Sequence, residues 1–427
     1  MFFFLVCYVV DRFFSFQSPK LIKQTYKMLS LFGRDFTLTW LKICYNSYMN
    51  HNTYTTLPSP CWLLEEKKLI HNLSILHYIK EQTHAKILLA LKGFALWKSF
   101  DTIRPYLDGC CASGLHEAKL AQEMFHKEVH TYAPAFKPTE IEEIASLSHH
   151  IVFNSAAQFQ KYASKVKGIH PEISLGLRVN PEYAEAPKEI YNPCALYSRL
   201  GSTLLHFDES ILSECEGLHF HALCEQNTDA LEKVLQAFEE KFGNYIFQMK
   251  WINFGGGHHI TRKDYDVEKL ISLILTFKKK YNVEVYLEPG EAIGWETGSL
   301  ITTVLDIVHN GIDIAILDSS AEAHMPDTII MPYRAEVLHA AIAGKKPYTY
   351  RLAGNTCLAG DIMGDYSFDS PLQIGDKVIF LDQMHYTMVK ATTFNGIKLP
   401  SIAIEKIDGS IEVIRHFGYD DFKNRLS

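Results

Sequence analysis

The sequence predicts an α/β protein: a closed (β/α)8 barrel followed by a second, mainly β domain. Two rhythms and one turn carry that expectation. From Lys67 onward, short β-rich apolar runs alternate with helical patterns for about 230 residues, which argues for a parallel sheet covered by helices. After about Gly298 the helices thin out, and short β-branched runs follow one another between Gly, Asp and Pro. Three consecutive glycines, Gly255, Gly256 and Gly257, follow the seventh of the strand-like runs, where a barrel of this kind often holds a phosphate.

The start of the chain fits neither rhythm. Residues 1–10 are apolar but too short to span a bilayer, and no basic residues precede them. Residues 1–50 read as a poorly defined extension, with Met28 or Met49 as an alternative start. Residues 51–66 read as an extended segment that adds a strand to the β domain. The barrel is expected over 67–298 and the β domain over 299–427. Strand-like runs fall at 86–92, 107–112, 128–133, 150–154, 172–179, 217–222, 251–254 and 284–288. Helical patterns between them include 115–125, 138–146, 156–166, 228–242 and 267–281. The later strands are expected at 299–309, 349–353, 377–381, 401–407 and 411–415. No G-x-G-x-x-G follows the first strand, which disfavours an open dinucleotide-binding sheet.

Composition narrows the class. Hydrophobic residues make up 47% and charged residues 21%, enough apolar side chain for a sizeable core. Net charge is −7 without a basic cluster, which argues against nucleic acid and leaves room for a cationic ligand. The 9 cysteines include no C-x-x-C pair, a usage that suits a reducing cytoplasm better than a disulfide framework or a zinc site.

The residues that could carry chemistry sit where a barrel places its reacting groups, at the C-terminal strand ends. Lys92 closes the first apolar run; a snorkelling surface lysine is the plain reading. Desolvated in a barrel mouth, the same lysine acquires a lowered pKa and can form a Schiff base with an aldehyde cofactor. Lysine plus a glycine phosphate cradle implies pyridoxal 5′-phosphate. His219 and His221 share one face of strand six. His221 suits stacking on a planar ring, whereas a His-x-His metal site would imply a barrel hydrolase. Glu288, ending strand eight, could face a pyridine nitrogen and keep it protonated. Cys357 and Asp361 lie on a loop of the second domain, and Tyr386 on another; alone, each is an ordinary loop residue.

Taken together, these stretches resemble the fold-type III pyridoxal-phosphate decarboxylases, the family of ornithine, arginine and diaminopimelate decarboxylases. The similarity runs from about Leu57 to the C-terminus, with Lys92, the His221 strand, the glycines, Glu288-Pro289-Gly290, the Cys357 loop and Tyr386 to Gly396 in the family's order. Leu91 to Ala95, His219 to Glu225, Glu288 to Ala292, His324 to Asp327 and His385 to Lys390 are most similar to the branch acting on carboxynorspermidine and carboxyspermidine. The resemblance implies an alanine racemase-like TIM barrel that binds pyridoxal 5′-phosphate and no metal. It implies that Lys92 carries the cofactor, His221 packs on its ring, Gly256 and Gly257 hold its phosphate, Glu288 pairs with its ring nitrogen and Tyr386 lies near it. It further implies a homodimer in which Cys357 and Asp361 reach the partner's barrel, Cys357 as proton donor and Asp361 toward a substrate amine.

Two departures stand out. Many relatives follow Glu-Pro-Gly with arginine, and here Glu291 stands instead; strand two carries Cys110-Cys111 where relatives often have an acid. Glu291, Asp327 and Asp361 would suit the cationic tail of a polyamine precursor. Diaminopimelate, with its distal carboxylate, would want arginine. The rival readings are another decarboxylase of this fold, a metal-dependent barrel hydrolase, and a non-catalytic cofactor carrier.

Overall fold

The computed structural model describes residue 54 and residues 56–186 and 188–427. The expected extension over 1–50, with its alternative starts, lies outside the described residues. Residues 59–427 form one compact unit.

After β1 (Cys61–Glu65) and the helix Glu66–Thr83, eight parallel strands close into a barrel. They are β2 (Lys86–Ala90), β3 (Gly109–Ala112), β4 (Glu128–Tyr132), β5 (His150–Phe153), β6 (Ser174–Arg178), β7 (Gly217–His219), β8 (Trp251–Asn253) and β9 (Glu284–Leu287). Closure is made by β2 against β9, with Lys86 opposite Tyr286 and Ile87 opposite Leu287. These strands are nearly all buried residues because helices cover them outside and side chains fill them inside.

The lower barrel is packed by one large ring against small neighbours. A Cβ on Gly217 would meet the Trp251 indole at 2.1 Å, and one on Gly176 would meet it at 2.3 Å. Only glycine on β6 and β7 leaves room for that indole, whose Nε1 donates to Ser174 Oγ at 2.8 Å. His130 stacks on His150 beside it, centroids 3.8 Å apart, with Tyr286 against both.

The outer helices follow from periodicity. In Thr228–Ile246 the buried residues Leu231, Val234, Leu235, Phe238 and Phe242 recur at helical spacing. Phe238 stacks near Phe277 of the next helix, Val267–Tyr281. That helix opens with the Asp266 side chain accepting from Lys269 N–H and closes on Asn282 in the left-handed conformation. No helix among the described residues is long and apolar enough to cross a membrane.

The second layer is a mixed sheet. Its strands are β10 (Gly298–His309), β11 (Asp313–Leu317), β12 (Ala341–Ile342), β13 (Tyr348–Ala353), β14 (Ile362–Phe368), β15 (Lys377–Leu381), β16 (Ser401–Glu405) and β17 (Ile411–Arg415). The order is β12-β14-β13-β11-β10-β1-β16-β17, with β15 also on β10. β1 lies between β10, antiparallel, and β16, parallel. The chain therefore enters through the sheet, builds the barrel and returns to the sheet. That return brings residues 382–390 back over the barrel mouth.

Candidate active site

At the C-terminal ends of the barrel strands a cavity of about 1830 Å³ opens, lined among others by Lys92, His221, Glu291, Asp327 and Tyr386. Lys92 stands in the turn just past β2 and opens into this cavity. Protein atoms crowd it, so burial first, and then the charge of Arg178, push its ammonium below the ordinary lysine range. The next residue must be small: a Cβ on Gly93 would come within 3.0 Å of Glu291 N and of Gly290. The first and eighth strand-end turns thus touch at the base of the lysine.

Glu288 directly follows β9, and its side chain is largely buried. Its Oε1 accepts from Asn253 Nδ2 at 2.7 Å, and His219 Nε2 lies 3.3 Å from Oε2. Burial opposes its charge, but His219 and the Asn253 hydrogen bond hold the carboxyl down at about 2. It is ionised at neutral pH. Burial conversely lowers His219. His221 is lowered further, by burial and then by Lys92, and its Nδ1 accepts the Gly256 N–H at 2.8 Å. The ring is neutral, and its proton sits on Nε2.

The glycine turn is steric in origin. Gly255 and Gly257 have φ of 69° and 82°, and a Cβ on Gly257 would lie 2.0 Å from Leu223 O. A Cβ on Gly256 would lie 2.4 Å from Glu288 O. The Gly256 N–H is engaged by His221. We predict that Gly257→Ala, strained in φ and clashing with backbone, loses about 2–4 kcal/mol of stability. Urea unfolding checks this, and a loss under about 1 kcal/mol would mean the turn relaxes freely.

Glu291 opens the short helix Glu291–Gly294. His259 Nε2 lies 3.3 Å from one oxygen and His385 Nδ1 3.8 Å from the other. Burial opposes the Glu291 charge, and the two histidines hold its pKa below the usual value. Asp327 is held by Lys390 Nζ in two contacts of 2.7 and 2.8 Å, with the Tyr191 hydroxyl at 3.4 Å. A ligand amine would have to share that carboxylate. Burial and Glu291 push the Tyr386 phenol up, so it stays protonated.

The second-domain loop divides in two. Asp361 is buried and turned inward, accepting from Ala321 N at 2.6 Å, Ser320 Oγ at 3.1 Å and Thr356 Oγ1 at 2.6 Å. These bonds pin the loop to the helix Ala321–His324. Cys357 is exposed, its N–H donating to Asn395 Oδ1 at 2.8 Å. It is absent from the wall of its own chain's cavity.

Residues 7–383 match the family described as pyridoxal-dependent decarboxylase, C-terminal sheet domain. The chain belongs to the pyridoxal-dependent decarboxylases. It is 56% identical over 383 residues, 87% of this chain and 99% of the relative, to a carboxynorspermidine/carboxyspermidine decarboxylase of Campylobacter jejuni. It is 45% identical over 374 residues, 87% of this chain and 96% of the relative, to a carboxyaminopropylagmatine decarboxylase of Synechocystis. Among solved structures, carboxynorspermidine decarboxylase from Campylobacter jejuni, complexed with norspermidine, superimposes with a TM-score of 0.81 at 54% identity, covering 86% of this chain and all of that one. Diaminopimelate decarboxylase from Helicobacter pylori superimposes with a TM-score of 0.73 at 16% identity, covering 88% of this chain and 98% of that one, a likeness of fold alone.

Several further residues lie in or beside the site of this decarboxylase. Arg178 ends β6, donates to His221 O at 3.1 Å and lies 4.7 Å over the Tyr132 ring. The logic that selected Lys92, a cation closing an apolar strand, also selects Arg178. Asn253, directly before the glycines, could have been chosen as the polar end of β8. Glu225, His385 and Lys390 fall in stretches that carry the family resemblance, but their roles depend on neighbours from distant parts of the chain.

Proposed function

We propose that this chain releases carbon dioxide from carboxynorspermidine, carboxyspermidine or both, using pyridoxal 5′-phosphate. The observation that carries the reading is the acidic wall, with Glu225, Glu291, Asp327 and Asp382 all lining the cavity that Lys92 enters. A substrate tail with two amines is cationic at neutral pH, and such a wall binds it by charge-assisted hydrogen bonds. The 56% identity to the Campylobacter relative over nearly its whole length supports the same reading.

The residues fit the cofactor. The glycine turn leaves no room for a Cβ, Lys92 offers an amine weakened in basicity by burial, and Glu288 is a fixed anion held by His219 and Asn253. When bound, the cofactor supplies an electron sink for the pair left behind by the departing carboxylate. Lys92 would hold the cofactor through its amine. Glu288 keeps a proton on the ring nitrogen, braced by His219 and Asn253. His221 presents a flat neutral ring, oriented by the Gly256 N–H. Cys357 returns a proton to the α-carbon.

Because Cys357 is exposed and outside its own cavity, we infer a homodimer in which each copy lends Cys357 to the other. Mixing inactive Lys92→Ala and Cys357→Ala proteins is then expected to restore about a quarter of wild-type activity, through dimers with one complete site. A mixture as inactive as its components would reject the sharing. The substrate is tested by measuring carbon dioxide release from carboxynorspermidine, carboxyspermidine, carboxyaminopropylagmatine and diaminopimelate. Preference for either of the first two is the expected result. Preference for diaminopimelate would reject it, and preference for the agmatine derivative would move the assignment toward the Synechocystis relative.

A further inference from the structure

The barrel has a second end. At the N-terminal ends of its strands, away from Lys92, three side chains with metal-binding atoms come together. Glu128 and His130 stand two apart on β4, so both lie on one face of that strand. His150 opens β5 directly in register with His130. One donor atom from each of Glu128, His130 and His150 lies within 4.8 Å of the other two. His130 Nε2 is already 3.3 Å from Glu128 Oε2. The Nδ1 atoms of His130 and His150 are sealed from solvent without a hydrogen-bond partner, and His130 is only 2% exposed. Buried polar atoms left unsatisfied in this way call for a bound partner, water or an ion.

We propose that Glu128, His130 and His150 form a binding site for a divalent transition-metal ion of the zinc class, clamping β4 to β5 at the barrel floor. The site is separate from the catalytic cavity, whose wall includes none of the three. Two imidazoles and a carboxylate suit zinc, nickel or cobalt, with a fourth position left to water. Magnesium and calcium prefer oxygen ligands. Ligand atoms around one tetrahedral zinc stand roughly 3.3 Å apart, given bond lengths of about 2.0–2.1 Å. Closure therefore asks for movements of about 1–1.5 Å. The two rings are stacked, centroids 3.8 Å apart and planes at 13°, so one must turn about its Cβ–Cγ bond for both to meet an ion. That torsion is soft in histidine. Tyr286 packs 4.8 Å from His130 and Trp251 packs 5.0 Å from His150, which keeps both rings on the inner face. Glu128, its side chain 32% exposed, gives the ion a way in. The neighbouring cation, Lys86, has its Nζ 3.8 Å from Glu128 Oε1 and also 3.8 Å from Asp108 Oδ1. It is part exposed and can lean to Asp108 when an ion takes Glu128.

The test is equilibrium dialysis of the full chain, first stripped with a chelator, against zinc ions. About one zinc per chain should bind, and excess magnesium should not displace it. His130→Gln and His150→Gln should each weaken binding by at least about 100-fold, since changing even an outer-shell partner costs about 10–100-fold. Glu128→Gln, at the part-exposed rim, serves where a buried histidine variant does not fold, and should weaken binding by about tenfold or more. In the wild type, cobalt ions should quench tryptophan emission at the same stoichiometry, because Trp251 lies beside His150. Zinc binding undiminished in the variants would assign the ion to other groups and overturn the proposal. No bound zinc in the wild type, or equal competition by magnesium, would overturn it as well.

Discussion

Lys92→Ala is expected to lower decarboxylation by at least about 10³-fold, the largest effect of any single change in this chain. The reason is positional. Lys92 follows β2, whose Ile87–Ala90 are apolar and buried, so its backbone is fixed by the barrel while its amine emerges into the cavity. Burial lowers its basicity, which raises the fraction of neutral amine able to attack an aldehyde. Lys92→Arg keeps the charge but cannot supply a nucleophilic amine, so it should be equally inactive. Borohydride reduction followed by peptide mapping should find cofactor mass on Lys92 in the wild type and on no peptide of either variant. Thermal stability should be unchanged or higher, because an ammonium has been taken out of a crowded site. Activity within tenfold of wild type, or trapped cofactor on another lysine, would sink the assignment.

The contrast between Lys92 and Asp361 shows what could be read before the fold was in view. Lys92 stands two residues past a strand of five, and its place follows from the run itself. The same holds for the barrel strands, whose buried apolar stretches mark themselves, and for the helix 267–281, delimited by Asp266 and Asn282. β11 and β14 escaped notice for a physical reason. The first begins with an exposed aspartate. The second contains Gly364 at φ 139° and Asp365, turn-like residues kept in a strand by pairing with β13 and the Arg351–Asp365 contact at 2.8 Å. Asp361 was placed correctly on its loop, but three of its hydrogen-bond donors lie some forty residues away on another segment. The Lys390–Asp327 pair spans a wider gap still. Local pattern selects residues that close an element, whereas tertiary pairing decides which of them remain available to a ligand.

Glu288→Gln should lower kcat by about 10²–10³-fold, the scale of removing one preorganised charge from a catalytic site. Glutamine fits the same space and can still meet Asn253, so the lost quantity is the negative charge rather than the packing. That charge is unusually secure in the wild type: His219 and Asn253 hold the carboxyl at about 2 despite burial. The sign of the stability effect follows. The folded pKa lies below the ordinary value of 4.5, so the contribution is fully present above about pH 4.5 and is lost as pH falls toward 2. A shift of this size corresponds to on the order of 3 kcal/mol. Urea unfolding at pH 5, 4 and 3 should therefore show the gap between wild type and Glu288→Gln narrowing as acid is added, because the variant has no such carboxyl to protonate. A gap that stays constant across that range would mean that Glu288 is not ionised and braced as its neighbours imply. The catalytic loss would then need a cause other than its charge.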